Sequence, residues 1–325
     1  MKVAVLPGDG IGPEITAAAL RVIRTVTDRI EFLNGDAGLE CYKKNGEYLP
    51  RGTMDIIDEC DAVLFGTVSD PTDDPGYRSP LVVMHKQLDI FTTMKPFCRL
   101  SAEDGADMDA ILVSENAAGV SSMTEMEGLD GAVAEVRTST VGCKRLCQMG
   151  RRIAESNNRK NITLAHNGDH MKASKDLLIK EFTEAMKGSS VTAGEMPYVD
   201  VVRILMTAPE RLDVIIATDL RRELLDSVMG TAAGRAGNVP VCGISETKGI
   251  FRPDHGAMQP LAGTNKADPT AAILAGGLML EFLGLKAEGK MIKNAVRTAY
   301  GDGRRPGTAG TEGFADQVAS LCRMP

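Results

Sequence analysis

What most limits the folds open to this chain stands at its start. An apolar run, Val3 to Leu6, leads into Gly8-Asp9-Gly10-Ile11-Gly12-Pro13-Glu14 and then an Ala-rich run of helical character from Ile15 to about Asp28. Strand, glycine turn and helix make one βα unit. Glycines after a strand suggest a dinucleotide-binding turn, because a residue without a side chain lets backbone approach a pyrophosphate at a helix N-terminus. Here that pattern fails at its third glycine. The spacing requires it at position 13, where Pro13 stands. The acidic ribose-binding residue expected about 20 residues further on has no clear counterpart, since Thr27 and Asp28 end the first helix instead. The unit is not a Rossmann fingerprint, so its strand must join a different α/β sheet.

Further short apolar runs at Ala62 to Gly66, Ala110 to Val113, Ile162 to Ala165 and Val214 to Ala217 alternate with helix-like segments at Thr140 to Ser156, Lys172 to Met186 and Pro269 to Leu283. That alternation predicts an α/β sheet with helices packed on it. The 325 residues suffice for two domains or one large one, and with no Trp and 4% aromatics the core must be filled by Leu, Ile, Val, Ala and 17 Met. Lys+Arg 37 against Asp+Glu 44 gives a net charge of −7. Nothing there draws the chain toward nucleic acid or an anionic membrane. The first apolar run is too short for a signal-peptide core and no stretch approaches a membrane span, so the expected location is the cytoplasm. Seven scattered cysteines without a CxxC argue against a disulfide framework or a zinc site. Cys143 and Cys147, four apart, share one helix face as small buried residues.

Three segments read as irregular. Ser69 to Pro80, rich in Asp, Pro and Gly, is a long loop, either a binding loop or a plain connection. Residues 119 to 136 end in the alternating run Gly131-Ala132-Val133-Ala134-Glu135-Val136-Arg137, which suits a strand on an arm or hairpin. Gly301 to Gly313 reads as a glycine-rich loop before a final helix.

Several motifs then follow one another in a fixed order. They are Leu6 to Glu14, Asp61-Ala62-Val63-Leu64-Phe65-Gly66, Tyr77-Arg78-Ser79-Pro80 through Lys86-Gln87-Leu88-Asp89-Ile90-Phe91, Glu115-Asn116 with Gly119, Pro209 to Thr218, His255-Gly256 with Ala262-Gly263, and Gly307-Thr308-Ala309-Gly310-Thr311. Together they resemble the successive signatures of the isocitrate/isopropylmalate dehydrogenase family, the metal-dependent β-decarboxylating dehydrogenases. The resemblance implies an isopropylmalate dehydrogenase-like two-domain α/β/α fold. It places a discontinuous large domain at 1–98 plus 235–325, a small domain with a dimerisation arm at 99–234, and a small-molecule site in the cleft between them. It also implies NAD or NADP and Mg²⁺ or Mn²⁺ as cofactors.

The same resemblance assigns roles that can be checked residue by residue. Arginines should hold the substrate carboxylates, since a guanidinium gives paired charge-assisted hydrogen bonds where an ammonium gives a point charge. The aligned residues are His85, Lys95 and Ser114. The proton-handling tyrosine and lysine fall on Ser121 and Asn167, neither of which titrates usefully, although His166 and His170 lie near Asn167. Metal carboxylates should stand at Asp200, Glu223 and Ser227; the last has lost its charge, a one-residue shift would recruit Asp226, and Arg221 and Arg222 bring positive charge. In the nucleotide loop, His255-Gly256-Ala257-Met258-Gln259-Pro260 puts a proline at the ribose position, and Asp268 replaces the asparagine beside the adenine.

The replacements fall on charged and proton-transferring positions while turn glycines and apolar strands persist. The expectation is a non-catalytic or regulatory paralogue, a homodimer or a heteromer with a competent relative. The alternative is a divergent NAD(P)-dependent oxidoreductase acting on a 2-hydroxy acid other than isocitrate or isopropylmalate.

Overall fold

The opening run becomes β1 (Lys2–Gly8), which pairs in parallel with β2 (Glu31–Asn34) on one side and β3 (Ala62–Thr67) on the other. These belong to a computed structural model describing residues 1–69, 77–116, 124–128 and 130–323. Elements are numbered along the chain. β12 (Gly249–Pro253) continues the parallel set on β3, and β11 (Pro240–Ile244) adds an antiparallel strand, giving the order β2-β1-β3-β12-β11. Val3 to Leu6 and all of β3 are buried, as strands covered on both faces must be, and for that reason they read as unbroken apolar runs. α1 (Gly12–Val26) lays Ile15, Ala18, Ala19, Val22 and Ile23 against α9 (Thr270–Phe282) and α11 (Pro306–Cys322). α10 (Lys286–Gly301) packs on α9 in turn.

The glycine turn after β1 is an anchor for its own unit. Gly10 has φ +58°, and a Cβ there would overlap the Ala257 carbonyl, which accepts the Ile11 amide at 2.9 Å. Between the glycines, the fully buried Asp9 carboxylate accepts the amides of Leu39 at 2.8 Å, Glu40 at 2.9 Å and Ser69 at 2.8 Å. Leu39 and Glu40 open α2 (Leu39–Asn45), whose N-cap is Gly38, so Asp9 caps that helix from elsewhere in the chain. α3 (Arg51–Glu59) is closed from a distance too: Lys248 Nζ donates to the carbonyls of Ile57 at 3.1 Å, Asp58 at 2.9 Å and Cys60 at 2.5 Å. α4 (Pro80–Gln87) completes this unit's N-terminal part.

The second set of strands runs β4-β5-β10-β8-β9, from β4 (Thr92–Cys98), β5 (Asp109–Glu115), β8 (Asn161–His166), β9 (Thr192–Pro197) and β10 (Val214–Ala217). Only β4 with β5 is antiparallel. Its helices are α5 (Thr140–Ser156), α6 (Lys172–Ala185), α7 (Tyr198–Thr207) and α8 (Asp219–Ala232). Arg159 stitches the strand ends, donating to Asp109 O at 2.7 Å, Asp109 Oδ1 at 2.7 Å and Asp213 Oδ1 at 2.9 Å. Asp213 Oδ2 takes the Lys160 amide at 2.5 Å. β6 (Thr124–Gly128) and β7 (Gly131–Glu135) form a separate, wholly exposed antiparallel ribbon, where an arm or hairpin was expected.

The chain divides into two units, Met1–Asp89 with Leu100–Glu103 and Gly237–Pro325, and Ile90–Arg99 with Asp104–Ala236. The sequence reading puts β4 with the large domain; this division places it in the second unit, since β4 pairs with β5 along its whole length from Thr92↔Glu115 to Cys98↔Asp109. The fold is α/β without a Rossmann turn. A second departure lies at the C-terminus, where the expected loop over Gly301 to Gly313 is mostly helical. α10 runs to Gly301, and α11 starts at Pro306 and kinks at Gly310, φ 75°. The kink lets Thr311 donate its hydroxyl to Ala267 O at 2.6 Å and its amide to Asn265 O at 3.0 Å. Residues 70–76 of the long acidic loop lie outside the described residues. All seven cysteines are free and buried; burial pushes the Cys143 thiol up to about 11. Among the described residues no helix is long and apolar enough to cross a membrane.

Two substitutions test these anchors. Asp9→Ala leaves three amides without their acceptor and is expected to cost about 2–4 kcal/mol, read as a lower urea midpoint at unchanged slope. Arg159→Met strands Asp213 beside the sheet and is expected to cost about 2 kcal/mol, measured in the same way.

Candidate functional site

In the second unit, the carboxyl ends of β5, β8 and β10 meet around a small cavity lined by Glu115, Arg137, His166, Asn167 and Lys175 together with the apolar Leu178. Strand ends of a parallel sheet are where α/β proteins place ligands. The cavity encloses about 30 Å³, room for a water or two, so on its own it is too small for a di- or tricarboxylate.

Its back wall is set by His166. Gly168 donates its amide to His166 Nδ1 at 3.0 Å, so Nε2 carries the ring hydrogen and directs it to Glu195 Oε2. Strand register produces the pair, for Leu164 stands opposite Glu195, and His166 is the next residue on the same face of β8. The sequence reading missed Glu195 because Thr192–Pro197 has no apolar run to mark a strand. Arg137 and Thr138, also in the lining, were missed for want of any motif.

Two of the residues aligned with catalytic and substrate-holding positions, Asn167 and Lys95, are held by neighbours. Asn167 Oδ1 accepts Arg221 Nε at 2.8 Å, and Nδ2 donates to Met171 Sδ at 3.5 Å. Lys95, on β4, has a side chain only 4% exposed, and its ammonium pairs with Asp226 of α8, itself 16% exposed. Ser114 is buried on β5, opposite Thr93 of β4 and Ala217 of β10. His85 stands half-buried in the last turn of α4, in the first unit. Ser121 lies outside the described residues.

A divalent cation does not fit the residues aligned with metal ligands. Asp200, in the first turn of α7, pairs with Arg203 on the same helix. Glu223 and Ser227 are exposed on α8, and Asp226 is held by Lys95. Among the described residues no three His, Cys, Asp or Glu side chains gather in a way that could hold a metal. Magnesium needs near-octahedral oxygen ligation, and two of these carboxylates, Asp200 and Asp226, already face cations of the protein itself.

The nucleotide-side residues belong to the first unit. Asp268 accepts Asn238 Nδ2 at 2.6 Å and the Thr270 amide at 2.8 Å, which fixes the start of α9. Pro260 sits in a 3-10 turn, Gln259–Leu261, entered through Met258 in left-handed backbone. Gly256 is exposed, and its carbonyl lies 3.2 Å from His255 Nδ1. The buried His255 Nε2 has no hydrogen-bond partner among the described residues. An adenosine reader of the expected kind does not fit here: one position lacks a polar side chain and the other spends its carboxylate on a helix start.

Comparison with known proteins accounts for the combination of fold and motifs. The model of the isocitrate/isopropylmalate dehydrogenase family matches residues 2–318. An isocitrate/homoisocitrate dehydrogenase of Thermus thermophilus is 31% identical over 99% of this chain and 98% of its own length. A 3-isopropylmalate dehydrogenase of Methanothermobacter thermautotrophicus is 30% identical over 99% of this chain and 98% of its own. The crystal structure of isocitrate dehydrogenase from Methylococcus capsulatus superposes with a TM-score of 0.90 at 27% identity, covering 99% of both chains. This chain belongs to the isocitrate/isopropylmalate dehydrogenase family.

Proposed function

We propose that the chain is a non-catalytic, regulatory member of this family of β-decarboxylating dehydrogenases, working in pairs with a competent relative or with itself. The observation that carries the reading is the Asn167–Arg221 contact. The position where the resemblance implies a proton-transferring lysine holds an amide, and the group bound to it is a guanidinium, which keeps its protons at any ordinary pH. A general acid or base must give or take a proton near the working pH, which a side-chain amide does not do. The commitment of Lys95 to Asp226 supports the same conclusion, since an ammonium already neutralised in the interior is a poor receptor for a substrate carboxylate.

Pairing is supported by the second unit's surface. A two-stranded ribbon is marginal alone in water, yet β6 and β7 stand apart with Met126 and Val133 exposed. On α7, Val199 and Met206 lie two turns apart on one face, Met206 69% exposed, and Leu224 is exposed on the adjoining α8. A face of this kind suits burial against another subunit.

A second reading has one observation in its favour. His166, oriented by Glu195 at the edge of a small cavity, is a group of the type that moves protons in enzymes. It suits a divergent NAD(P)-dependent oxidoreductase for a 2-hydroxy acid other than isocitrate or isopropylmalate.

A panel of 2-hydroxy acids with NAD or NADP and Mn²⁺, at micromolar protein, is expected to give no reduced nucleotide above the protein-free rate. Saturable turnover abolished by His166→Gln establishes the second reading and removes the first. Met206→Asp is expected to shift the mass measured by light scattering from dimer to monomer while the far-ultraviolet spectrum stays unchanged; an unaltered dimer places the contact elsewhere.

A further inference from the structure

We propose that Lys95 supplies, as a fixed side-chain ammonium, the positive charge that a divalent cation would bring to this region of the second unit, so that the fold is charge-balanced without metal. The inference concerns ion binding at equilibrium and goes beyond the question of turnover, because it holds whether or not the chain retains any chemistry.

The first support is burial. A lysine head group with its side chain 4% exposed is tolerated only when a counter-charge meets it, and Asp226 does so from α8. The pair is neutral, and it joins the middle of β4 to the middle of a helix, elements distant in sequence. The second support is the fate of the other carboxylates. Asp200 is held by Arg203, and Glu223 is exposed. Ser227, one residue beyond Asp226, has no charge to offer, and its carbonyl takes the Thr231 hydroxyl at 2.8 Å. An added divalent ion would therefore meet one carboxylate already neutralised and another already paired. The third support is the sign of the remaining charge. Arg221 stands on the same helix one and a half turns before Asp226, so a metal approaching α8 meets like charge.

The argument also runs in reverse. If Lys95 is the internal cation, then removing it takes the ammonium away from a carboxylate with little access to water. A small cation from solution should then stabilise the variant although it has no effect on the natural chain. Removing both charges should relieve the problem and the cation dependence together.

The test uses the full-length, tag-free protein after chelation. Free Mn²⁺ is measured by electron paramagnetic resonance, and the melting temperature is measured in EDTA and in millimolar MnCl2 or MgCl2. For the natural chain, the expected results are an undiminished free Mn²⁺ signal and the same melting temperature in all three media. Lys95→Met is expected to melt lower in EDTA by roughly 5 °C or more and to recover part of that loss in Mn²⁺. Lys95→Met with Asp226→Asn is expected to melt above the single variant and to ignore the metal. The proposal is overturned if the natural chain binds Mn²⁺ saturably and Asp226→Asn abolishes that binding. It is also overturned if Lys95→Met is as stable as the double variant and indifferent to metal. Should Lys95→Met fail to fold without a cation, the natural chain's Mn²⁺ titration and the double variant's melting still decide the matter.

Discussion

The first unit is organised around a buried carboxylate. Asp9 has no contact with water, yet its two oxygens receive three backbone amides from Leu39, Glu40 and Ser69. A carboxylate in that position is tolerable because each of its oxygens accepts at least one backbone amide. The consequence is geometric. β1, the beginning of α2 and the chain leaving β3 are fixed by one side chain, and the glycines on either side exist to let it turn there. Gly10 brings the turn against the Ala257 carbonyl, so the loop 255–263 is positioned by the same corner. A turn that in a different α/β fold would hold a phosphate here holds backbone of the same protein.

The second unit repeats this use of charge as internal fastening. Arg159 ties Asp109 and Asp213 at the starts of β5 and β10, Lys95 ties β4 to α8 through Asp226, Arg221 ties α8 to the end of β8 through Asn167, and Glu195 ties β9 to His166. Of these, Lys95–Asp226 and Arg159–Asp213 are largely buried ion pairs, which are weak contributors to stability compared with apolar packing, because each charge loses its hydration. What they contribute is registration, since a misplaced strand or helix leaves a charge alone in the interior at a large cost. Three of the four fasteners lie at the carboxyl ends of strands or on the helices that follow them. Those are the places where a parallel sheet presents side chains to a ligand. Charges that satisfy one another in that region are withdrawn from ligand recognition.

The sequence revealed the parts of this arrangement that backbone periodicity and glycine spacing carry. The strands at Val3, Ala62, Ala110, Ile162 and Val214 and the helix Thr140–Ser156 are legible because a fully buried parallel strand must be apolar throughout and an amphipathic helix must repeat every three or four residues. β9 is not legible, since Thr192–Pro197 forms an edge strand whose side chains are largely exposed, and an edge strand has no reason to be apolar. The helix starting at Pro306 was hidden by its glycines, which suit the kink at Gly310 but resemble a loop. At the site, the identities at 95, 167, 223 and 227 were readable, whereas the partners were not. Lys95 with Asp226 and His166 with Glu195 are tertiary pairs separated by 131 and 29 residues, and no local pattern links them.

That difference bears on how such a chain can keep its fold while changing its chemistry. The fold of this chain rests on backbone geometry: φ at Gly8 and Gly10, the kink at Gly310, the register of the parallel strands. None of these depends on which polar group stands at 167 or 226. Conversely, a position released from binding substrate or metal cannot simply be left with an unpaired charge, because it lies next to the core. Once an acidic side chain has no metal, it needs a cation from the protein. Lys95 is that cation for Asp226, whereas Asp200 meets Arg203 at the surface. On the proposed reading, replacement of the site and retention of the fold are one physical requirement, met where side chains of the protein take the place of ligand contacts.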